Sequence, residues 1–228
     1  MNEYNFYDEF QRLCLKYFDK YSEEDFDWDT YVLMQNHGAP TRLLDWTDGA
    51  LIALHFAIRD KTSNDNQNPI IYILNPYNDD LIKMTDESNE IKKNVIQEWE
   101  KFVKNHPGRK LNEEAWEDSY LPADEDDLEE IDIPNPPLLL RSPHLTTRLG
   151  SQRSRMIFFG KDPWWFHTNW HEDYIKKIEI DSACCEELKI ELRDSGITES
   201  VIFPDLDGLG KEMDQLWKIM TRINSKHK

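Results

Sequence analysis

Cysteine is scarce in this chain. Three stand among 228 residues, Cys14, Cys184 and Cys185, too few for a disulfide framework and without the spacing of a zinc site. They read as reduced thiols in or near a core. No run of eighteen apolar residues occurs, and the opening Met-Asn-Glu-Tyr-Asn-Phe has neither the basic nor the apolar segment of a secretory leader, so a cytoplasmic protein with no membrane span is expected. Glycine-rich phosphate loops are missing too. The absence of GxGxxG, GxxxxGKS/T and GxSxG stretches removes the usual signatures of dinucleotide folds, P-loop nucleotidases and serine hydrolases. Basic charge is also short: 27 Lys and Arg face 45 Asp and Glu, a formal charge of −18. Generic nucleic-acid binding is thereby disfavoured, because that affinity comes from neutralising phosphates.

What is present is enough for a core. Eight Trp, nine Tyr and ten Phe within a 39% apolar composition argue for one packed domain spanning residues 1–228, a normal size for a single core. Phe6, Phe10, Leu13, Cys14, Tyr17 and Phe18 keep helical spacing over residues 5–20. A second helix starts near an Asp27 cap, runs through Trp28, Tyr31, Val32 and Met34, and ends at Gly38. Residues 50–59 are apolar on nearly every side, which predicts a helix inside the domain with His55 buried. The run at 70–74, short and rich in β-branched residues, reads as a central strand. Another helix is expected over 87–105. Strands are expected at 156–159, 174–180 and 200–203, with a helix over 185–193. Alternating strand and helix make the fold class α+β, a mixed domain with a small central sheet packed by helices.

Charge is unevenly spread. Residues 111–134 hold no Lys or Arg and centre on Asp124-Glu125-Asp126-Asp127, so this segment reads as an exposed acidic insertion. Beyond it the sign reverses, with Arg141, Arg148, Arg153 and Arg155 before the next acid. Two constellations follow. Residues 35–47, Gln-Asn-His-Gly-Ala-Pro-Thr-Arg-Leu-Leu-Asp-Trp-Thr, set His37, Thr41, Arg42 and Asp45 in a turn between two apolar helices, where a guanidinium can hold an anion and an imidazole can move a proton. The same residues also suit a structural corner in which Arg42 pairs with Asp45. The other constellation is Arg148 with Gln152, one helical turn apart, beside Arg155, suited to a phosphate or to ordinary surface ion pairing. His167 and His171 stand at i and i+4 without a third ligand, so no metal site is assigned.

The 35–47 segment, followed by Leu54-His55-Phe56-Ala57, resembles the signature of the FRG domain, a family found largely in bacterial and phage proteins. Arg148 and Gln152 leading into Phe158 and Phe159 are similar to its second motif, and residues 196–209, Gly-Ile-Thr-Glu-Ser-Val-Ile-Phe-Pro-Asp-Leu-Asp-Gly-Leu, to its C-terminal ending. The family is named for a Phe-Arg-Gly tripeptide near its N-terminus, which this chain lacks, so a member short at that end is expected. That tripeptide is similar to the Tyr-Arg-Gly motif of one branch of ADP-ribosyltransferases, so the resemblance implies an ADP-ribosyltransferase-like fold, with NAD as a candidate cofactor. Two functions stand at this point. One is a pocket for a small anionic, nucleotide-like ligand between the 37–45 loop and the 148–152 segment, lined by His37, Thr41, Arg42, Asp45, Arg148, Gln152 and Arg155. The other is a non-catalytic module recognising a protein partner or a nucleic-acid end. The sequence does not decide whether the chain is an enzyme.

Overall fold

Two tyrosines join the first two helices of the computed structural model. α1 (Glu3–Cys14) lays Tyr7 against Tyr31 of α2 (Asp27–Asn36), with ring centres 6.3 Å apart. The structure describes residues 3–17, 27–62, 65–85, 96–97, 100–101, 104, 120–121, 135–140 and 146–226. The acidic insertion expected at 111–134 lies almost wholly outside them, as does most of the helix expected at 87–105, of which residues 96–97, 100–101 and 104 are helical. The chain is α+β, with helices and small antiparallel sheets.

α2 buries four residues in succession, Tyr31, Val32, Leu33 and Met34. It stops where the sequence predicts. Ala39 N–H bonds to Met34 C=O (2.9 Å) and Gly38 N–H to Gln35 C=O (3.1 Å), the paired closure that needs a left-handed residue, and Gly38 has φ of 79°. The 35–47 segment is more than a turn: it contains β1 (Leu43–Thr47), followed by α3 (Ala50–Ile58). α3 is less enclosed than expected. Ile52, His55 and Ile58 are buried, but Leu51 and Phe56 are exposed, because the neighbouring elements cover only one side.

After α3 come β2 (Ile70–Leu74), α4 (Asp79–Thr85), β3 (Leu138–Leu140), α5 (Thr147–Ser151), β4 (Ser154–Phe158), α6 (Trp165–Thr168), β5 (Ile175–Glu179), α7 (Cys185–Asp194), α8 (Glu199–Ile202) and α9 (Leu206–Lys226). One sheet has the order β1-β4-β3. β4 is central, so its residues can be apolar on both faces, and Met156, Ile157 and Phe158 are all buried. Leu138, Leu139 and Leu140 pair antiparallel with Phe158, Ile157 and Met156. β2 is not a central strand. It pairs with β5 in a two-stranded ribbon, closed at its ends by Ile180 N–H to Pro69 C=O and Asn75 N–H to Tyr174 C=O, and it leaves Tyr72 and Ile73 exposed.

The strand expected at 200–203 is a helix, α8. Ile202 N–H bonds to Thr198 C=O and Phe203 N–H to Glu199 C=O. The β-branched pair Val201-Ile202 favours extension, but packing decides: Ile202 and Phe203 close a core against Ile52. Chain entry into α9 depends on a missing side chain, since a Cβ on Gly208 would stand 2.0 Å from the Phe203 carbonyl oxygen.

Two compact units divide these elements: Met1–Asp45, Leu74–Pro143 and Met156–Ile175 form the first, and Trp46–Ile73, His144–Arg155 and Lys176–Lys228 the second. The first is built on Phe158, whose ring meets those of Trp28, Tyr31 and Tyr120. The second holds the Ile52 core and another of Ile58, Cys185 and Leu192. No helix among the described residues is long and apolar enough to cross a membrane.

Candidate functional site

In the first unit, Arg42 is fully engaged. Its Nε donates to both carboxylate oxygens of Glu3 at 2.9 and 2.8 Å, Nη1 to the Phe159 carbonyl at 3.0 Å, and Nη2 to the Tyr120 carbonyl. Its guanidinium carbon lies 4.5 Å from the centre of the Phe158 ring, and its backbone N–H donates to the Tyr31 hydroxyl at 2.8 Å. That hydroxyl in turn donates to Glu3, and burial, followed by the Glu3 charge, pushes the Tyr31 pKa up. Arg42 thus ties α1, α2 and the end of β4 together. Its partner is Glu3 and not the Asp45 of the sequence alternative.

The other residues of that loop form a second small network. Gln35 accepts from the Thr41 hydroxyl at 2.5 Å and donates to Asp45 at 2.7 Å, so one amide holds Thr41 and Asp45 on the same side. Thr41 also accepts the Leu43 N–H. His37 is exposed and ends α2 through its backbone N–H to Leu33 C=O.

In the second unit, α5 presents Arg148 and Gln152 as the spacing predicts. Gln152 N–H bonds to Arg148 C=O at 3.0 Å, its side-chain amide donates to Ile202 C=O at 3.4 Å, and its carbonyl accepts from the Thr47 hydroxyl at 2.7 Å. Arg155 is paired with Asp48 at 2.6 Å, the bland outcome for an arginine in an acidic protein. Arg148 is different. Its guanidinium sits 4.6 Å from the centre of the Phe203 ring, and its buried Nε has no hydrogen-bond partner.

Phe203 gathers more charge than Arg148 alone. The Arg59 guanidinium lies 4.9 Å from the ring centre and the Lys211 ammonium 5.7 Å, so the two guanidinium carbons are no more than 9.5 Å apart. The single buried acid beside them is Glu199, 2% exposed. Its Oε1 is 3.2 Å from Nε2 of His55 and its Oε2 is 3.6 Å from Nη2 of Arg59, distances of charge attraction without hydrogen-bond alignment. Burial is the main cause holding the His55 pKa below its ordinary value; Glu199 opposes that shift and Arg59 adds to it. Among the described residues, four of the six buried side-chain polar atoms without a hydrogen bond are here: His55 Nε2, Arg59 Nε, Arg148 Nε and Glu199 Oε2. Sequence reasoning missed Arg59, Glu199 and Lys211 as site residues. The available signal was Glu199, an acid next to the apolar Val201-Ile202-Phe203.

Trp164 is exposed, whereas its neighbour Trp165 is buried against Phe166. His167 and His171 are both exposed, and no cluster of His, Cys, Asp and Glu able to hold a metal occurs among the described residues.

No curated protein and no solved structure matches the chain. A family model does match, that of the FRG domain, over residues 1–66. This stretch takes in α1, α2, β1 and α3, with the Glu3 to Arg42 tie and the Gln35 network inside it, and over it the chain is similar to the FRG domain.

Proposed function

We propose that this protein binds a small anionic ligand of nucleotide type, NAD among the candidates, at the cationic face where Arg148, Arg59 and Lys211 meet on Phe203. The observation that carries the reading is a set of four buried polar atoms without a hydrogen bond among the described residues: His55 Nε2, Glu199 Oε2 and Arg59 Nε have only ion-pair contacts, with one another or with Asp60, and Arg148 Nε has none. An unpaired buried donor costs about 1–3 kcal/mol, and native structures keep few of them without a purpose. Three cations against one buried acid, in a chain of charge −18, are the reverse of what the composition would supply at random. Two guanidinium groups within reach of one ligand suit a diphosphate, because each planar fork grips two oxygens. The aromatic ring beneath fixes the forks before the ligand arrives. Arg42 is structural in this reading, and turnover is not part of it.

Calorimetric titration of NAD, ADP and pyrophosphate into the full chain tests the proposal. At least one should bind with a Kd that weakens as salt rises, and Arg148→Ala and Arg59→Ala should each weaken it at least tenfold. His37→Ala and Asp45→Asn, titrated alongside, test the loop's share. Absence of heat from all three ligands would reject the reading.

A further inference from the structure

His55, Glu199 and Arg59 form a line of charge contacts that runs from a buried imidazole to the cationic face on Phe203. Glu199 serves both neighbours, with different oxygens. Its Oε1 lies 3.2 Å from His55 Nε2 and its Oε2 3.6 Å from Arg59 Nη2. The side chain of Arg59 is 20% exposed and that of Glu199 2%, so the arginine is held from within while part of it stays open to water. Its other acid is weaker. Asp60 stands 3.7 Å from Arg59 Nε with its side chain 90% exposed, where solvent screens the pair. Glu199 is thus the carboxylate with which an incoming anion must compete for Arg59.

His55 decides how much of Glu199 is left for that contact. The charged groups acting on the imidazole are Glu199 of α8 and, just past the end of its own helix, Arg59 and Asp60. α7 packs on α3 through Leu188, Leu192 and the thiol of Cys185, which burial keeps protonated. Arg148 and Lys211 stand over Phe203, one ring removed from His55, with Phe56 between at centre distances of 5.8 and 5.9 Å. While the imidazole is neutral, Arg59 is the main cation on Glu199. Once it is protonated, a second cation stands at the shorter distance and the hold on Arg59 slackens. Given the anion site proposed above, we infer that Glu199 is a built-in competitor for Arg59, drawn off when His55 takes a proton, so that the anion binds more tightly as pH falls. The change belongs below pH 6.5, because burial holds the His55 pKa under that value. The coupling is reciprocal: anion binding draws a proton onto His55.

Calorimetric titration of NAD, ADP and pyrophosphate into the full chain, repeated from about pH 8 down to about pH 5.5, spans the range in which a histidine titrates. The wild type should bind about fivefold or more tightly at the acid end, and heats in buffers of different ionisation enthalpy should show proton uptake on binding. His55→Gln, which keeps a donor toward Glu199 but cannot titrate, should lose both. Its difference from the wild type cancels any proton taken up by the ligand itself. Glu199→Gln should bind at the alkaline end at least as tightly as the wild type does at the acid end, a gain that structural damage would not produce. Circular dichroism of both variants checks the fold, and should Glu199→Gln fail to fold, the His55→Gln comparison decides alone. An acid rise of the same size in His55→Gln, or a folded Glu199→Gln no tighter than the wild type at the alkaline end, would overturn the inference and leave the anion site standing. No heat from any of the three ligands at any pH would reject the site, and the inference with it.

Discussion

Nε2 of His55 stands 3.2 Å from Oε1 of Glu199, and both side chains are buried. The imidazole is kept below its ordinary pKa of 6.5, first by burial. An unfolded chain therefore takes up this proton at a higher pH than the folded one does. Above 6.5 the pair adds no pH slope; as pH falls through 6.5 toward the folded pKa, the unfolded state gains protons first and stability drops. His55→Gln should flatten that part of the stability curve relative to the wild type. Melting temperatures of the two proteins, taken in parallel steps below pH 6.5, check this. Identical slopes would show that the histidine does not titrate differently on folding.

Arg148 should behave as a residue retained for something other than stability. Arg148→Met keeps an unbranched chain over Phe203 and removes the buried Nε that lacks a partner. The melting temperature should stay level or rise, while the anion affinity proposed above is lost. A drop of several degrees on chemical or thermal melting would mean that the guanidinium is a structural part.

Arg42 should behave in the opposite way. Its tie to Glu3 is mostly shielded from water, with side chains 21% and 31% exposed, and removal strands a carboxylate and two carbonyls. Arg42→Ala is expected to cost roughly 3 kcal/mol, read from urea midpoints. Arg42→Lys should recover little, since an ammonium cannot reproduce the fork that reaches Glu3, Phe159 and Tyr120 together.

Gly208→Ala should cost about 1–3 kcal/mol, although alanine is the better helix former. The added carbon would meet the Phe203 carbonyl oxygen at 2.0 Å and its Cβ at 2.8 Å, and neither is a flexible end. The same urea measurement, with Gly210→Ala as the control at an open position, separates crowding from propensity.

The features legible in the sequence are those with local causes. α2 ends at Gly38 because only a left-handed residue closes that turn, and the 70–74 strand and the helix beginning at Cys185 follow from short apolar runs and their flanking turns. α8 was not legible, since Val201 and Ile202 carry a strand preference that packing on Ile52 overrides. α9 was not anticipated, though Leu209, Met213, Trp217 and Met220 repeat at helical spacing. The Arg148 to Gln152 pairing was visible because it lies within one helical turn. The assignment of Arg42 to Glu3, and of Glu199 to His55 and Arg59, was not, because residues brought together from distant parts of the chain leave no mark in either neighbourhood.

The Arg42 corner also has a timetable. Its ligands come from Glu3, Tyr120 and Phe159, so a nascent chain can make the first contact once Arg42 has emerged but must wait for the last until Phe159 has been added. Until then the opening helices hold a guanidinium with two empty sides, and fragments ending before Phe159 should be captured by chaperones or proteases in place of settling into the native corner.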